Sequence, residues 1–482
     1  MQEDILRTDV LVIGGAGAGL RSAIEAKANA VDVILASKMP VAGTSCTLVI
    51  AGWITGATKE NEDQLFKQIV YTGGYINNQR LTDVFVKDAI YRIPELRDYG
   101  IELEFRGGDT PDMPGHYITT RIDKNPKGFS LLNKMKEKAE NMGVRMLNNV
   151  MISSLITSNG AIVGAVGVDL ENMKILTIST KSVIIATGGG AYAFERSDNP
   201  PGSTGDGFTL AFNAGAELVD MEFVSLNVPK STLPEIFKVD GEPPDFIVDS
   251  GTAHYFLGGI KIDEDCRTNI KGLFAAGEVT GGILGAARLG GSAVADTIVF
   301  GARAGHTASQ WAKNNEIPIL NADQVEEEKG KIRKITANKQ IPSTEFLARA
   351  KSILWRYIGP VKNEYTLNKA LDKLSEMRLR VLDISSENAE EIQAGIEASN
   401  IVELGRILAT ASLIRKETRG NFWRADYPNF DNENWLKNIV LWKDGDEINT
   451  RIDDVVMTRL HNPVGPPIGS GCFWYYPKMD LS

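Results

Sequence analysis

The stretch Val10-Leu-Val-Ile-Gly14-Gly-Ala-Gly-Ala-Gly19 decides the fold of this chain. Val10 to Ile13 is a continuous apolar run that stops at Gly14, which predicts a buried strand. Apolar residues then recur at helical spacing from Leu20 to Ala30, and Val31 to Leu35 predicts the next short strand. A strand, a glycine turn, a helix and a second strand within about thirty residues form a βαβ unit, which opens a parallel sheet.

The turn Gly14-Gly15-Ala16-Gly17-Ala18-Gly19 has what the pyrophosphate of a dinucleotide requires: a tight bend, room for the backbone and a helix N-terminus. Its match to the fingerprint G-x-G-x-x-G is imperfect, because Ala16 occupies the middle glycine position. A bound cofactor is predicted, and a plain strand-to-helix turn is the alternative. The second strand ends in Ala36-Ser37-Lys38, without the acid of a usual NAD ribose site, which disfavours NAD.

The composition is that of an acidic globular protein. Its 482 residues suffice for two or three domains with large cores. The net charge is −10 and no long run of Lys and Arg occurs, so we expect no nucleic-acid partner. Cys46, Cys266 and Cys472 lie far apart without C-x-x-C spacing, so neither disulfides nor a metal site is predicted, and a cytoplasmic location fits.

The N-terminal stretch MQEDILRTDVLVIGG combines early acids with a short apolar run. A signal peptide would carry positive charge there, and the run is far too short to span a bilayer. We therefore expect no export signal and no transmembrane segment of the chain's own.

The remaining pattern alternates helical, β-rich and irregular segments. Helical spacing is predicted for 61–99 and for an amphipathic helix over 129–142, with a surface loop at 105–118 between them. Short β segments are predicted at Met151–Ile156, Ile162–Leu170 and Ile175–Ser179, followed by a separate strand from Ser182 to Thr187. The charged stretch 326–334 predicts a domain boundary. Beyond it, apolar residues at helical spacing predict a small bundle: Leu367, Ala370, Leu371, Leu374, Met377, Val381, Leu404, Ile407, Leu408 and Ala411. From Asn421 onward we expect an aromatic, irregular extension.

Two further blocks carry a family resemblance. They read Lys271-Gly-Leu-Phe-Ala-Ala-Gly277-Glu278-Val-Thr-Gly and Gly285-Ala-Ala-Arg288-Leu-Gly-Gly-Ser292-Ala-Val-Ala-Asp296. Here the sequence closely resembles the flavoprotein subunits of succinate dehydrogenase and fumarate reductase. Similar blocks follow the family order along most of the chain: the N-terminal turn, Ala186-Thr-Gly-Gly189, Thr204-Gly-Asp-Gly207 through Asp220-Met-Glu-Phe223, His254 to Gly259, Lys416 to Gly420 and Arg424 to Pro428.

The resemblance implies an α/β protein with a Rossmann-like FAD-binding domain, a vestigial capping domain and a C-terminal helical bundle. On this basis we expect the FAD-binding domain at 1–226 and 254–325, a reduced capping segment at 227–253, the bundle at 326–415 and an extension at 416–482.

The resemblance also implies the cofactor and its contacts. Glu278 would bind the ribitol of FAD, Ser37 and Lys38 would lie near the adenosine, and Ser292 and Val294 would contact the isoalloxazine. The alternative for Glu278 is a solvated carboxylate after a strand. The expected cofactor-binding residues are Gly14, Gly15, Ala16, Gly17, Ala18, Gly19, Ser37, Lys38, Gly43, Thr44, Ser45, Cys46, Ala186, Thr187, Gly188, Gly189, Asp206, Gly277, Glu278, Arg288, Ser292, Ala293 and Val294.

His254 and Arg288 match family positions that bind the dicarboxylate, and the guanidinium fork of Arg suits a carboxylate. Other parts of the family site are missing. The segment 227–253 contains neither the proton-donating Arg of the family's cap nor any His, and Asn227 replaces a second family histidine. No residue therefore inherits the role of proton donor, and structural roles for His254 and Arg288 remain alternatives.

Cys46 stands where covalent members of the family carry the histidine that bonds FAD. Histidyl attachment is therefore excluded, and we expect noncovalent FAD beside a small buried residue, with a thioether from Cys46 as the alternative.

Three functions remain open from the sequence. The first is an FAD-dependent oxidoreductase subunit that acts on a small organic acid such as fumarate or succinate and exchanges electrons with an iron–sulfur partner. Any association of this subunit with a membrane would come through its partner subunits. The second resembles the alpha subunit of adenylylsulfate reductase, and the third is a noncatalytic electron-transfer or assembly component that keeps FAD. The aromatic tail Cys472–Pro477 is interpreted either as a docking segment for a partner or as packed on its own domain.

Overall fold

The computed structural model of the protein describes residues 5–50, 52–106, 116–119, 127–337 and 340–461. The tail Cys472–Pro477 and residues 107–115 of the predicted loop lie outside these ranges.

The described residues form strands and helices in alternation. The strands are β1 Ile5–Ile13, β2 Val33–Ala36, β3 Trp53–Thr55, β4 Leu103–Arg106, β5 His116–Thr119, β6 Arg145–Leu147, β7 Val150–Ser158, β8 Ala161–Asp169, β9 Lys174–Ile185, β10 Leu218–Val219, β11 Val224–Asn227, β12 Thr252–Phe256, β13 Gly259–Ile260, β14 Leu273–Ala275, β15 Ile341–Pro342, β16 Ile384–Ser385, β17 Lys437–Asp444 and β18 Glu447–Asp454. The helices are α1 Gly17–Ala28, α2 Glu62–Thr72, α3 Gln79–Arg92, α4 Lys127–Asn141, α5 Asp206–Asn213, α6 Leu233–Ile236, α7 Asp245–Val248, α8 Ser292–Lys313, α9 Ala322–Ala337, α10 Ser343–Ile358, α11 Glu364–Leu379, α12 Ala389–Ile414 and α13 Asn432–Trp435. Short 3₁₀ turns cover Pro94–Tyr99, Ala191–Ala193 and Val381–Asp383.

A parallel sheet in the order β6-β2-β1-β9, with β14 beside β9, lies at the centre of the molecule. Ile13 pairs with Ala36 and with Ile185. Ala36 pairs with Leu147, and Ile185 pairs with Ala275. The carboxyl ends of all five strands therefore meet at one edge, which is where open α/β sheets bind their ligands.

The sheet is covered by α1 and α8, which pack closely against each other. The apolar run Val10–Ile13 is almost fully buried, as expected for a central strand that lies between two layers. The first strand, the glycine turn and the helix α1 follow the prediction.

β9 is one continuous strand, so the prediction of two separate segments before and after 180–181 is wrong. Thr180 and Lys181 interrupt the apolar pattern, but both side chains find partners across the sheet. Lys181 pairs with Asp9 at 2.8 Å, and the Thr180 hydroxyl donates to the carbonyl of Asp9 at 3.3 Å. On one side β9 pairs in parallel with β1 over 177–185, and on the other it pairs antiparallel with β8 over 174–179 and in parallel with β14 over 183–185.

The C-terminal part contains the predicted helical bundle, in which α10, α11 and α12 pack against one another. The charged stretch 326–334 lies inside α9. The prediction of irregular chain from Asn421 onward is wrong for 437–454, where β17 and β18 form a hairpin through the turn Gly445-Asp446. β17 also pairs with β10 in a second sheet, so its strand conformation depends on a distant partner.

The segment 228–251, between β11 and β12, contains only the one-turn helices α6 and α7. It lies on the bundle, where the carboxylate of Glu242 accepts from Arg356 Nε at 2.9 Å, Tyr357 Oη at 3.1 Å and Lys369 Nζ at 3.1 Å. The reduced cap expected at 227–253 stays a prediction for this segment.

A buried ion network ties two of the family blocks together. Arg415 donates to Glu222 at 2.6 Å and to Glu417 at 2.9 Å, and all three side chains are fully buried. Arg419 donates to Glu417 at 2.7 Å. Because removal of one member would leave a buried charge unpaired, the network fixes the C-terminal block against the start of β11.

Among the helices that the structure describes, none combines the length and the apolar character needed to cross a membrane.

Candidate active site

The glycine turn lies at the carboxyl end of β1, at the centre of the sheet edge. Gly14 has a φ of +120°, and a Cβ there would overlap the carbonyl of Ala186 at the end of β9. Ala16 has a φ of −99° and is the residue before the first turn of α1, so its side chain causes no strain. The imperfect fingerprint is thus compatible with the geometry, and the first residues of α1, Gly17 and Ala18, line the cleft, so their free N–H groups suit an anion there.

Ser37 and Lys38 follow β2 and form the neighbouring wall of the cleft. Lys38 Nζ contacts Asp206 at 2.5 Å, Glu397 at 2.8 Å and the hydroxyl of Thr204 at 2.5 Å. Burial lowers the pKa of Lys38, but the two carboxylates raise it by more, and the amine stays charged. Lys38 therefore holds the start of α5 and a bundle helix against the cleft.

Glu278 follows β14 on the other side of the turn and also lines the cleft. Its Oε1 accepts from the backbone N–H of Phe256 at 3.1 Å, and a Cβ at Gly189 would overlap the carboxylate. Burial raises the pKa of Glu278 to about 7, although the hydrogen bond and the charges of Arg288 and His254 lower it in part. A buried carboxyl group in the wall of the cleft suits the hydroxyls of a ribitol chain.

We expect FAD affinity to depend on pH through Glu278. Hydroxyl donors favour the carboxylate, so below a pH of about 7 binding must release a proton. Affinity should rise by up to about tenfold per pH unit as the pH approaches 7 from below, and then level off. A fluorescence titration of the apoprotein with FAD measures this slope, which Glu278→Gln should remove. Equal slopes for the wild type and Glu278→Gln would contradict the assignment.

The N-terminus of α8 closes the cleft region beyond Glu278. Ser292, Ala293 and Val294 form its first turn, after Gly291 with a φ of +80°. The buried atoms Ser292 Oγ and Thr187 Oγ1 have no hydrogen-bond partner among the described residues. Buried polar groups without partners are uncommon, so these atoms fit a site that holds a polar ligand such as FAD.

His254 and Arg288 lie next to each other beside Glu278. Arg288 Nη2 is 3.4 Å from His254 Nε2, and its guanidinium stacks over the ring of Tyr255 at 4.5 Å. On the other side of the imidazole, Nδ1 lies 3.0 Å from both carboxylate oxygens of Asp198. The sequence analysis missed Asp198, which lies in a loop without periodicity or a motif.

The structure brings most of the expected cofactor residues to one cleft. Those that line it are Gly14, Gly15, Ala16, Gly17, Ala18, Ser37, Lys38, Gly43, Thr44, Ser45, Cys46, Ala186, Thr187, Gly188, Asp206 and Glu278. Gly19, Gly189, Gly277, Arg288, Ser292, Ala293 and Val294 lie outside the lining. Unexpected lining residues include Thr297 on α8 and Val150, Met151 and Ile152 at the start of β7. The N–H of Val150 donates to the carbonyl of Ser37, a tertiary contact that no local pattern indicates.

Cys46 lines the cleft without being activated as a nucleophile. Its thiol lies 2.9 Å from Asn199 Oδ1 and 3.4 Å from Ser203 Oγ. Burial, together with the charge of Glu278, raises the pKa of Cys46 to about 12. The thiolate is the reactive form, so the neutral thiol disfavours a thioether to the flavin.

We therefore expect acid precipitation to release all the flavin. The supernatant should contain the FAD and the pellet should be colourless, and Cys46→Ser should give the same result. Flavin that stays on the wild-type pellet and leaves with Cys46→Ser would establish a thioether instead.

Two family models match the chain. An FAD binding domain model matches residues 9–238 and 245–294, and a fumarate reductase flavoprotein C-terminal model matches residues 348–467. The first match is interrupted at 239–244, inside the segment between β11 and β12.

Similar proteins span almost the whole chain. An uncharacterized FAD-dependent oxidoreductase of Methanocaldococcus jannaschii is 29% identical over 90% of this chain and 96% of its own length. One of the subunits of the fumarate reductase (CoM/CoB) of Methanothermobacter marburgensis is 27% identical over 92% of this chain and 98% of its own length.

Solved structures share the fold. The quinol fumarate reductase flavoprotein of Escherichia coli gives a TM-score of 0.84 at 21% identity, covering 97% of this chain and 100% of that one. Adenylylsulfate reductase of Archaeoglobus fulgidus gives a TM-score of 0.75 at 17% identity, covering 95% of this chain and 98% of that one.

Proposed function

Because the chain belongs to the FAD-dependent oxidoreductases of the fumarate reductase and succinate dehydrogenase flavoprotein family, we propose that it oxidises or reduces a small organic acid of the fumarate and succinate type. Family membership confirms the predicted FAD cofactor and the predicted α/β flavoprotein fold with a helical C-terminal part. The substrate, its site and the electron partner are the proposal.

The pairing of Arg288 with His254 carries this proposal. Nη2 and Nε2 are 3.4 Å apart, and both side chains act electrostatically on Glu278 in the wall of the FAD cleft. The unpartnered Nε of Arg288 leaves part of its donor fork available to a carboxylate. Stacking on Tyr255 holds the guanidinium in place. A bound acid would therefore be held in one orientation relative to His254 and the FAD cleft.

When bound, FAD supplies hydride transfer to or from the substrate. The chain's own contribution is to bind FAD along the sheet edge, to hold the carboxylate at Arg288 and to handle a proton. In this assignment the cap segment 227–253 contributes no cationic donor of the family type, since it contains neither Arg nor His.

An iron–sulfur protein is the electron partner that we propose. The chain has three cysteines, whereas a cluster is usually held by four thiolates, so the cluster would belong to another chain. We place the reaction in the cytoplasm, with any membrane association through partner subunits.

An anaerobic reoxidation experiment tests the function. Holoprotein reduced with dithionite should regain the visible absorbance of oxidised flavin when fumarate is added. An adduct of the oxidised flavin with sulfite and AMP, without any response to fumarate, would indicate the sulfur chemistry of the adenylylsulfate reductase branch. No response to either would overturn the proposal and favour a noncatalytic component.

A further inference from the structure

We propose that His254, oriented by Asp198, is the group that moves the substrate proton, and that Nε2 is the atom that carries it. This inference rests on the proposed function and gives the chain a proton donor in place of the cap arginine that it lacks. Asp198 acts as a positioning residue, because its carboxylate touches the imidazole and not the substrate.

The two nitrogens of His254 have different partners. Nδ1 faces Asp198 Oδ1 and Oδ2, both at 3.0 Å, whereas Nε2 faces Arg288 Nη2 at 3.4 Å. A carboxylate accepts only, so the neutral imidazole keeps its proton on Nδ1 and presents a lone pair at Nε2, which accepts from Arg288 Nη2 when no substrate is bound. A carboxylate held by Arg288 would bring the carbon attached to it toward this lone pair.

Asp198 is itself held in place. Its Oδ2 accepts from Asn227 Nδ2 at 2.6 Å, and its Oδ1 accepts from Asn199 Nδ2 at 3.0 Å. The backbone N–H of Asp198 donates to the carbonyl of Ala253 at 3.2 Å, beside His254 in β12. Asn227 stands where the family carries a second histidine. Its amide holds the Asp198 carboxylate, which in turn orients His254.

The charge on Asp198 is maintained by these contacts. Burial raises the pKa of Asp198. The hydrogen bond and the charge of His254, together with the hydrogen bonds from Asn199 and Asn227, lower this pKa by more. The other charged groups that face His254 are Arg288, which contacts its Nε2, and Glu278, which interacts with it electrostatically, and both lie between β14 and α8.

The proton balance is simple. In reduction, the imidazolium breaks its Nε2–H bond, and the proton joins the electron pair released from the substrate double bond to form one new C–H bond. The second new C–H bond receives the hydride that reduced FAD supplies in the proposed function, so FAD is oxidised and the acid is reduced. His254 is 38% exposed, so solvent can restore the proton. Oxidation reverses each step, with Nε2 as the base.

Asp198→Asn tests this inference, with the exposed Asp249→Asn of the cap segment as control. The first readout needs no activity: nitrogen-15 NMR of the apoprotein reports which ring nitrogen carries the proton. The chain has four histidines, so His254→Gln assigns the signal. We expect the Nδ1–H tautomer in the wild type and in Asp249→Asn, and a shift toward Nε2–H in Asp198→Asn.

The second readout is kinetic. In Asp198→Asn we expect kcat with fumarate to fall about 10²-fold at nearly constant KM. Asn227→Ala, which only loosens Asp198, should give a smaller loss in kcat and keeps the test available if Asp198→Asn does not fold. An Nε2–H tautomer in the wild type, an unchanged kcat in Asp198→Asn, or a rise in KM alone would each overturn the inference. Failure of the wild type to react with fumarate at all would instead count against the proposed function, and the NMR readout would still decide the role of Asp198.

Discussion

Replacing Arg288 with glutamine should lower kcat/KM for reoxidation of the reduced flavin by fumarate by about 10³-fold, because the charged donor that holds the substrate carboxylate is lost. The protein should keep its FAD, since Arg288 lies outside the lining of the FAD cleft. Glutamine keeps much of the side-chain length but removes the charge and the bidentate fork. Arg288→Lys should recover only part of the rate, since a point charge does not reproduce the fork.

Arg303→Gln is a matched control for Arg288→Gln. Arg303 lies on α8 but pairs with Asp88 at 2.9 Å and with Asp265 at 3.4 Å, away from the cleft. These half-exposed pairs contribute about 1 kcal/mol or less to stability, and the reoxidation rate should stay close to that of the wild type. Anaerobic stopped-flow measurements compare the variants. Equal rates in Arg288→Gln and the wild type would remove Arg288 from the substrate site.

Gly14→Ala should remove most of the bound FAD. The φ of +120° disfavours any side chain, and the added Cβ would overlap the carbonyl of Ala186. Relief requires the ends of β1 and β9 to move apart, which displaces the turn that holds the pyrophosphate. Overpacking of this kind costs about 2–3 kcal/mol, which corresponds to roughly a hundredfold loss of FAD affinity.

Gly160→Ala separates this close contact from backbone strain. Gly160 also has a positive φ, +73°, but a Cβ there would meet nothing within 4 Å. It lies in the turn between β7 and β8, so Gly160→Ala should cost stability without changing the FAD content. Gel filtration followed by absorbance measures the flavin that each variant retains. Full retention by Gly14→Ala would show that the contact with Ala186 does not shape the turn.

The sequence predicted those parts of the fold that depend on local pattern. The buried run Val10–Ile13, the glycine turn and α1 follow from residues adjacent in the chain. β17 could not be assigned from its own residues alone, because its pairing with β10 joins positions more than two hundred residues apart. The Gly445-Asp446 pair was a local signal of the hairpin, since glycine followed by Asp is typical of two-residue hairpin turns.

In the candidate site, too, residues within sequence motifs could be predicted, and residues positioned by tertiary contacts could not. Glu278 and Arg288 belong to glycine-rich blocks, so the resemblance pointed to both. Asp198 belongs to no block, and its importance depends on the loop folding back until its backbone N–H bonds Ala253. The role of Asn227 could not be predicted either. The replacement of a family histidine indicated only that an imidazole was missing, and not that the Asn227 amide would donate to Asp198.

The central claim is that an organic acid binds at Arg288, beside His254 and against the flavin. Its most direct test is a titration of the oxidised holoprotein with malonate, a dicarboxylate that FAD cannot oxidise to an alkene. We predict a saturable change in the visible flavin spectrum of the wild type and none in Arg288→Gln with the same FAD content. The same change in both proteins, or no change in the wild type, would contradict the account.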